Sequence, residues 1–228
     1  MVLELLALTG LPVAIATVEG VRYHNEKEAE KEDAVRMRDF HIDVYCSSTS
    51  RKRNEVHNTM VVLSGKKLYL ARKDSETEMP LSADPASPPP HPFTGFFLDH
   101  YPEGAARSDS MFTRLNRAEK IRGLVSTISD HPPTLNWVYV DRQTLELKYG
   151  NRDDVEGHIV GPWDWTEDEV GLTFEGWEGF VAVEEQKGIW AVYFDRDDDR
   201  LKGVVSGKRV LPCSLERRLL DDEEVVTR

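Results

Sequence analysis

The sequence predicts a mainly β chain of the α+β class. The expected form is an antiparallel meander of about ten strands, closed like a barrel or folded as two sheets, with a long N-terminal helix and a short C-terminal helix. Three observations predict it. Beyond residue 38 most of the chain alternates apolar and polar residues with period 2. Turn residues recur at short spacing, as in Ser64-Gly65-Lys66 and Gln186-Lys187-Gly188. All five tryptophans, with the two clearest hairpins, WVYVD-RQT-LELKYG and GFVAVEE-QKG-IWAVYFD, fall within Leu135–Asp199. Barrel-like closure is preferred because it leaves no open sheet edge.

The elements follow in chain order. Residues 3–8 suit a helical turn that ends at Thr9-Gly10, and Pro12 suits the first turn of a second helix. That helix puts Leu11, Ala14, Ile15, Val18 and Val21 on one apolar face and runs into the charged NEKEAEKEDAVRMR, giving a helical segment over 3–36. The period then changes. In RDFHIDVYC, Phe40, Ile42, Val44 and Cys46 face one way, and His41, Asp43 and Tyr45 the other. HNTMVVLSGKKLYLAR reads as two strands around a turn. Residues 73–92 are rich in proline, which donates no ladder hydrogen bond, and are read as a mobile loop inside one domain. Phe93–Leu98 and Gly123–Ile128 are further strands. Phe180–Val183 and Ile189–Phe194 are apolar on both faces, as strands covered on two sides are. Leu211–Leu220, with Pro212 near its start, reads as the short helix. A single β-rich domain over 1–220 and a disordered acidic tail over 221–228 complete the expectation.

A chain of 228 residues buries a core without disulfides or metals. Its formal charge of −12 is uneven. Residues 1–130 hold 17 Lys/Arg against 19 Asp/Glu, whereas residues 131–228 hold 12 against 22. The second half would repel phosphate backbones and anionic lipid, so neither nucleic acid nor membrane is expected as a partner. Two cysteines in a chain of this length suit a reducing compartment, and no Asn-x-Ser/Thr acceptor is present. The apolar N-terminus has Glu4 and no Lys or Arg before its apolar run, and Gly10-Leu11-Pro12 interrupts it. It is therefore read as a packing or assembly helix rather than a secretion signal or a membrane span.

The segments GLVSTISDHPPTLNWVYVDRQTLELKYGNR, HIVGPWDWTEDEVGLTFEGWEGFVAVEE and WAVYFDRDDDRLKG resemble a family of proteins from filamentous ascomycete fungi with no established activity, as does LELLALTGLPVAIATVEGVRYHN. The resemblance covers most of the chain outside the proline loop and the tail. It implies a fungal, intracellular protein and carries over no catalytic residue.

The most pointed local feature is the loop Gly161–Glu169. Trp163 and Trp165, two apart, project to one side of an extended chain, beside Asp164 and Glu167. Aromatic faces next to carboxylates suit a sugar ring or a cation, and the same pair suits a core plug. Tyr139, Tyr149 and Trp177 are candidates to line the same cavity. His41 and Asp43 share a strand face, and a His beside an Asp serves acid–base chemistry where a pocket lies above it. His57 and His158 are weaker candidates. Asp195, Asp197 and Asp199 alternate as in a calcium loop, yet Arg200 and Ser206 stand where that loop needs Gly and Glu, so no metal is expected. Cys46 reads as a buried, unreactive thiol. Phosphate-loop, G-x-S-x-G, H-E-x-x-H and paired C-x-x-C motifs are lacking, and no cofactor is expected.

The expected function is therefore a non-catalytic, cytoplasmic, β-rich binding or assembly protein. It would self-associate through Leu11, Ile15 and Val18 and take a small ligand at its tryptophan-rich end. The alternatives are a small-molecule hydrolase or lyase using His41, Asp43, Asp164 or Glu167 in a barrel cavity, and a carbohydrate-binding module.

Overall fold

A computed structural model describes residues 36–84, 86–100, 121–130 and 133–220. The chain divides after Met37, and the unit described below begins at Arg38. Among the described residues there are thirteen strands and one 3-10 turn, Arg53–Glu55.

Strand β1 (Phe40–Cys46) is buried on both faces and central. It pairs along its whole length with β13 (Val210–Leu219), from Phe40 opposite Leu219 to Cys46 opposite Cys213. At its other edge it pairs with β2 (Thr59–Ser64). Ser64, Gly65 and Lys66 make the tight turn from β2 to β3 (Lys67–Arg72), with positive φ at Gly65 and Lys66 as such turns require. Strands β11 (Phe180–Gln186) and β12 (Ile189–Phe194) form the hairpin read from the sequence. β11 joins β13, and β12 touches β3. Hydrogen bonding thus runs in a closed circuit: β1, β2, β3, β12, β11, β13 and back to β1.

A second run leaves β1 through β5 (Thr94–His100), β6 (Ile121–Asp130), β7 (Pro133–Val140) and β8 (Leu147–Gly150), and returns to β3. The short β4 (His91–Pro92) adds to β2, so the proline-rich stretch ends in a strand pairing. Strands β9 (Trp163–Trp165) and β10 (Leu172–Phe174) form a separate two-stranded hairpin. The core is aromatic: Phe40, Phe93, Phe97, Trp163, Phe174, Phe180, Trp190 and Phe194 are all at most 1% exposed.

This corrects the α+β class. No helix of seven or more residues occurs among the described residues. The expected C-terminal helix is strand β13. Leu211, Leu215 and Leu219 are spaced four apart and mimic a helical face, but Leu211, Cys213 and Leu215 also alternate, and those three side chains are the buried ones. Period 2 wins because β1 and β11 each present an open backbone edge that this segment fills on both sides. The helical segment 3–36, its apolar residues Leu11, Ile15 and Val18, and the tail 221–228 lie outside the described residues, apart from Arg36.

Candidate functional site

The tryptophan hairpin does project both indoles to one side, and that side is the core. Trp163 is fully buried, 4.5 Å from the Phe174 ring and stacked nearly parallel to Phe180 at 6.1 Å. Its indole N–H has no acceptor among the described residues. Trp165 sits edge-on to Phe40 at 4.5 Å and beside Phe97 at 5.0 Å, and the Arg217 guanidinium lies 5.0 Å over its ring. Trp177 is half-buried and edge-on to Phe194, which in turn packs on Phe174. These tryptophans therefore act as a plug rather than a platform. Tyr139 and Tyr149 stand elsewhere, on β7 and β8. Tyr139 is buried against the His158 ring at 5.0 Å.

The other side of the hairpin is polar. Gly161 lets the loop pass closely over β6: a Cβ there would meet the Arg122 carbonyl oxygen at 2.5 Å. Asp164 points away from the indoles and accepts from Arg122 at 3.2 Å and from the Trp165 N–H at 2.8 Å. Arg122 also reaches Asp99 at 3.4 Å. A cleft of about 350 Å³ lies here, lined by Asp99, Arg122, Pro162, Trp163, Asp164, Thr173 and Gly176.

A larger cleft, about 520 Å³, opens at the hairpin's turn. Thr166, Glu167, Asp168, Val170, Gly171, Glu178 and Glu216 line it, with no lysine or arginine among them. The turn is organised by Thr166, whose hydroxyl donates to Asp168 and accepts the Gly171 N–H at 2.9 Å. That hydroxyl and the Val170 N–H hold the Asp168 carboxyl below its usual range. Gly171 bridges to Glu216 on β13, which brings the C-terminal strand into the cleft wall. The Glu178 carboxyl is pushed up, first by burial and then by the negative charge of Asp168 and Glu216.

The proposed acid–base pair is dispersed. His41 is buried, and its Nδ1 donates to the Phe93 carbonyl at 2.7 Å. Asp43 is held by Lys73 at 2.8 Å and lies 3.4 Å from Arg218. Both are buried against partners, and neither lines the two clefts. Glu167 and Asp164 line different clefts. His57 accepts the Cys46 N–H, and His158 accepts the Arg142 N–H.

The first of the alternating aspartates, Asp195, has a structural role. The buried Asp195 carboxylate accepts the N–H groups of Asp199, Arg200 and Leu201 at 3.2, 2.8 and 3.1 Å, folding a turn with positive φ at Asp198, Arg200 and Leu201. Asp195→Ala leaves three N–H groups without their acceptor, and an expected loss of about 2 kcal/mol in urea unfolding tests this. A loss under about 0.5 kcal/mol would mean the turn holds itself.

Sequence reasoning missed Glu178 and Glu216, because Glu216 reaches the cleft only through a strand mistaken for a helix. It also missed a polar network in which Lys67 pairs with Glu146 at 2.8 Å and with Glu185. In that network the Tyr193 hydroxyl lies 2.7 Å from Glu185 and 3.0 Å from Glu146. Alternation in LPCSLE and in KKLYL was the available signal.

No helix among the described residues is long and apolar enough to cross a membrane. No curated protein and no solved structure matches the chain. Residues 16–221 match a family described as a fungal beta-trefoil domain. The match begins inside the stretch expected as a helix and places it in an all-β family, which bears out the fungal resemblance and overturns the α+β class. With nine-tenths of its length matched, the chain belongs to the fungal β-trefoil domain family.

Proposed function

We infer that this is a non-catalytic binding domain whose ligand site is the acidic cleft at the turn of the β9–β10 hairpin. Its ligand presents hydrogen-bond donors carrying positive charge, such as an amine or a guanidinium. The observation that carries this reading is the cleft lining: Glu167, Asp168, Glu178 and Glu216 with no basic side chain among them. Coulomb attraction in a partly desolvated cleft favours a cation, and the negative second half of the chain steers one toward it. The β-trefoil is a fold often used for non-catalytic binding, carbohydrate included. A second reading, a sugar ligand in the smaller cleft, is favoured by Asp99, Arg122, Asp164 and Thr173, which offer both donors and acceptors beside Trp163.

Calorimetric titration with spermidine, an arginine-rich peptide and neutral oligosaccharides separates the two. Spermidine and the peptide are expected to bind, and Glu178→Gln with Glu216→Gln is expected to weaken them about tenfold or more, in line with loss of close charge pairs. Gly171→Ala is a gentler probe: its Cβ would meet Glu178 Oε1 at 2.3 Å and Thr166 Cγ2 at 3.0 Å, so the flexible glutamate moves while the fold persists. Unchanged affinity in the charge variants would overturn the cation reading. Saccharide binding lost on Asp164→Ala would favour the other cleft.

A further inference from the structure

The only two cysteines of the chain, 167 positions apart, stand directly opposite each other on β1 and β13. Both are free, and they are 1% and 6% exposed. The hydrogen bonds around Cys46 fix the kind of pair they make. Its N–H donates to His57 Nδ1 at 3.2 Å and its carbonyl accepts from Arg53 Nε at 2.9 Å. Two residues back, the Val44 carbonyl accepts the Asn58 N–H on the same edge. The backbone groups of Cys46 therefore turn away from β13, and Cys46 with Cys213 is a non-hydrogen-bonded pair. Such pairs bring opposite Cα atoms to about 4.5 Å, inside the span of roughly 4.4–6.8 Å that a disulfide bridges.

We propose that Cys46 and Cys213 are an oxidative modification site, a dithiol that a peroxide converts to a cross-strand disulfide joining the first described strand to the last. One thiolate attacks a peroxide oxygen, the O–O bond breaks, and water leaves behind a sulfenic acid. The second sulfur then attacks that sulfur. The S–O bond breaks, and the departing hydroxide takes the second thiol proton as water. Two thiols and one hydrogen peroxide thus give one disulfide and two waters.

The rate has a built-in restraint. Burial pushes the Cys213 thiol up, and the neighbouring Cys46 pushes it further. Little Cys213 thiolate therefore exists at neutral pH, and reaction through that sulfur accelerates about tenfold per pH unit below its own pKa. The bond, once formed, restricts the unfolded chain by closing a long loop.

The test uses the whole protein, natively folded, exposed to hydrogen peroxide across a pH series. It is then denatured, labelled with N-ethylmaleimide and weighed intact. The expected result is a monomer lighter by two hydrogens with both labels lost, a Cys46–Cys213 linked peptide, recovery of both labels after dithiothreitol, and a raised denaturant midpoint. Cys213→Ser is expected to take up oxygen at Cys46 without losing two hydrogens. Retention of both labels, added oxygen without the linkage, or a disulfide between molecules as the main product would overturn the proposal.

Discussion

Trp163→Ala is expected to destabilise the domain by about 4 kcal/mol, the range for removing a fully buried large aromatic. Small domains have a total stability of roughly 5–15 kcal/mol, so the variant would sit near the unfolding threshold at physiological temperature. The expectation rests on three facts. The indole is fully buried, it stacks on Phe180, and it touches Phe174, which packs in turn on Phe194. Deleting it opens a cavity between a two-stranded hairpin and the larger sheet, at the point where the indole meets Phe174 and Phe180. Trp163→Phe is expected to cost much less, because it keeps most of the ring and removes an indole N–H that lacks an acceptor among the described residues. Urea unfolding with near-ultraviolet dichroism checks both. A Trp163→Ala loss under about 1 kcal/mol would contradict the burial of this ring.

Lys67→Met is expected to cost about 3 kcal/mol at neutral pH, as breaking a partly buried ion pair does when the partner charges remain. Lys67 stands between Glu146 and Glu185, and Lys148 binds Glu146 at 3.0 Å and Asp141 at 2.8 Å. Burial alone would lower the Lys67 ammonium, yet the two glutamates raise it. Burial alone would raise the Glu146 and Glu185 carboxyls, yet Lys67 and its neighbours lower both. The sign for stability follows from the lowered carboxyls. Their contribution is complete above the unfolded glutamate value of about 4.3 and is lost as pH falls through the folded values. The deficit of Lys67→Met should therefore be largest at pH 7 and should shrink as the glutamates protonate. Unfolding curves for wild type and variant between pH 7 and 3 test this. A deficit independent of pH would contradict a role for Lys67 through its charge.

The local pattern carried much of the fold. The hairpins β7–β8 and β11–β12 were legible because each strand alternates or is wholly apolar and each turn has its own residues. Strand β1 was legible for the same reason, down to the alternation of Phe40, Ile42, Val44 and Cys46. The misreading of β13 shows the limit: leucines spaced by four satisfy two periods, and only a non-local partner, β1 on one edge and β11 on the other, decides between them. The candidate site was half legible. That Trp163 and Trp165 share a side followed from spacing, but which side is wet depended on Phe40, Phe97, Phe174 and Phe180, drawn from four different strands. Glu178 and Glu216 are 38 positions apart and meet only through the bridge from Gly171 to β13. His41 and Asp43 looked reactive as neighbours on one strand, yet each found a separate buried partner in Phe93 and Lys73.

The position of β13 between β1 and β11 also sets an order of events during translation. A nascent chain that has emerged only as far as β12 already contains both flanking strands, but each lacks its neighbour, and the hydrogen-bonded circuit stays open. Closure waits for residues 210–219 to clear the ribosomal exit tunnel, so the hydrogen-bonded circuit is completed only when this strand joins its two neighbours. Until then β1 and β11 present unpaired backbone edges, the kind of surface that chaperones hold and that other nascent chains can zip onto.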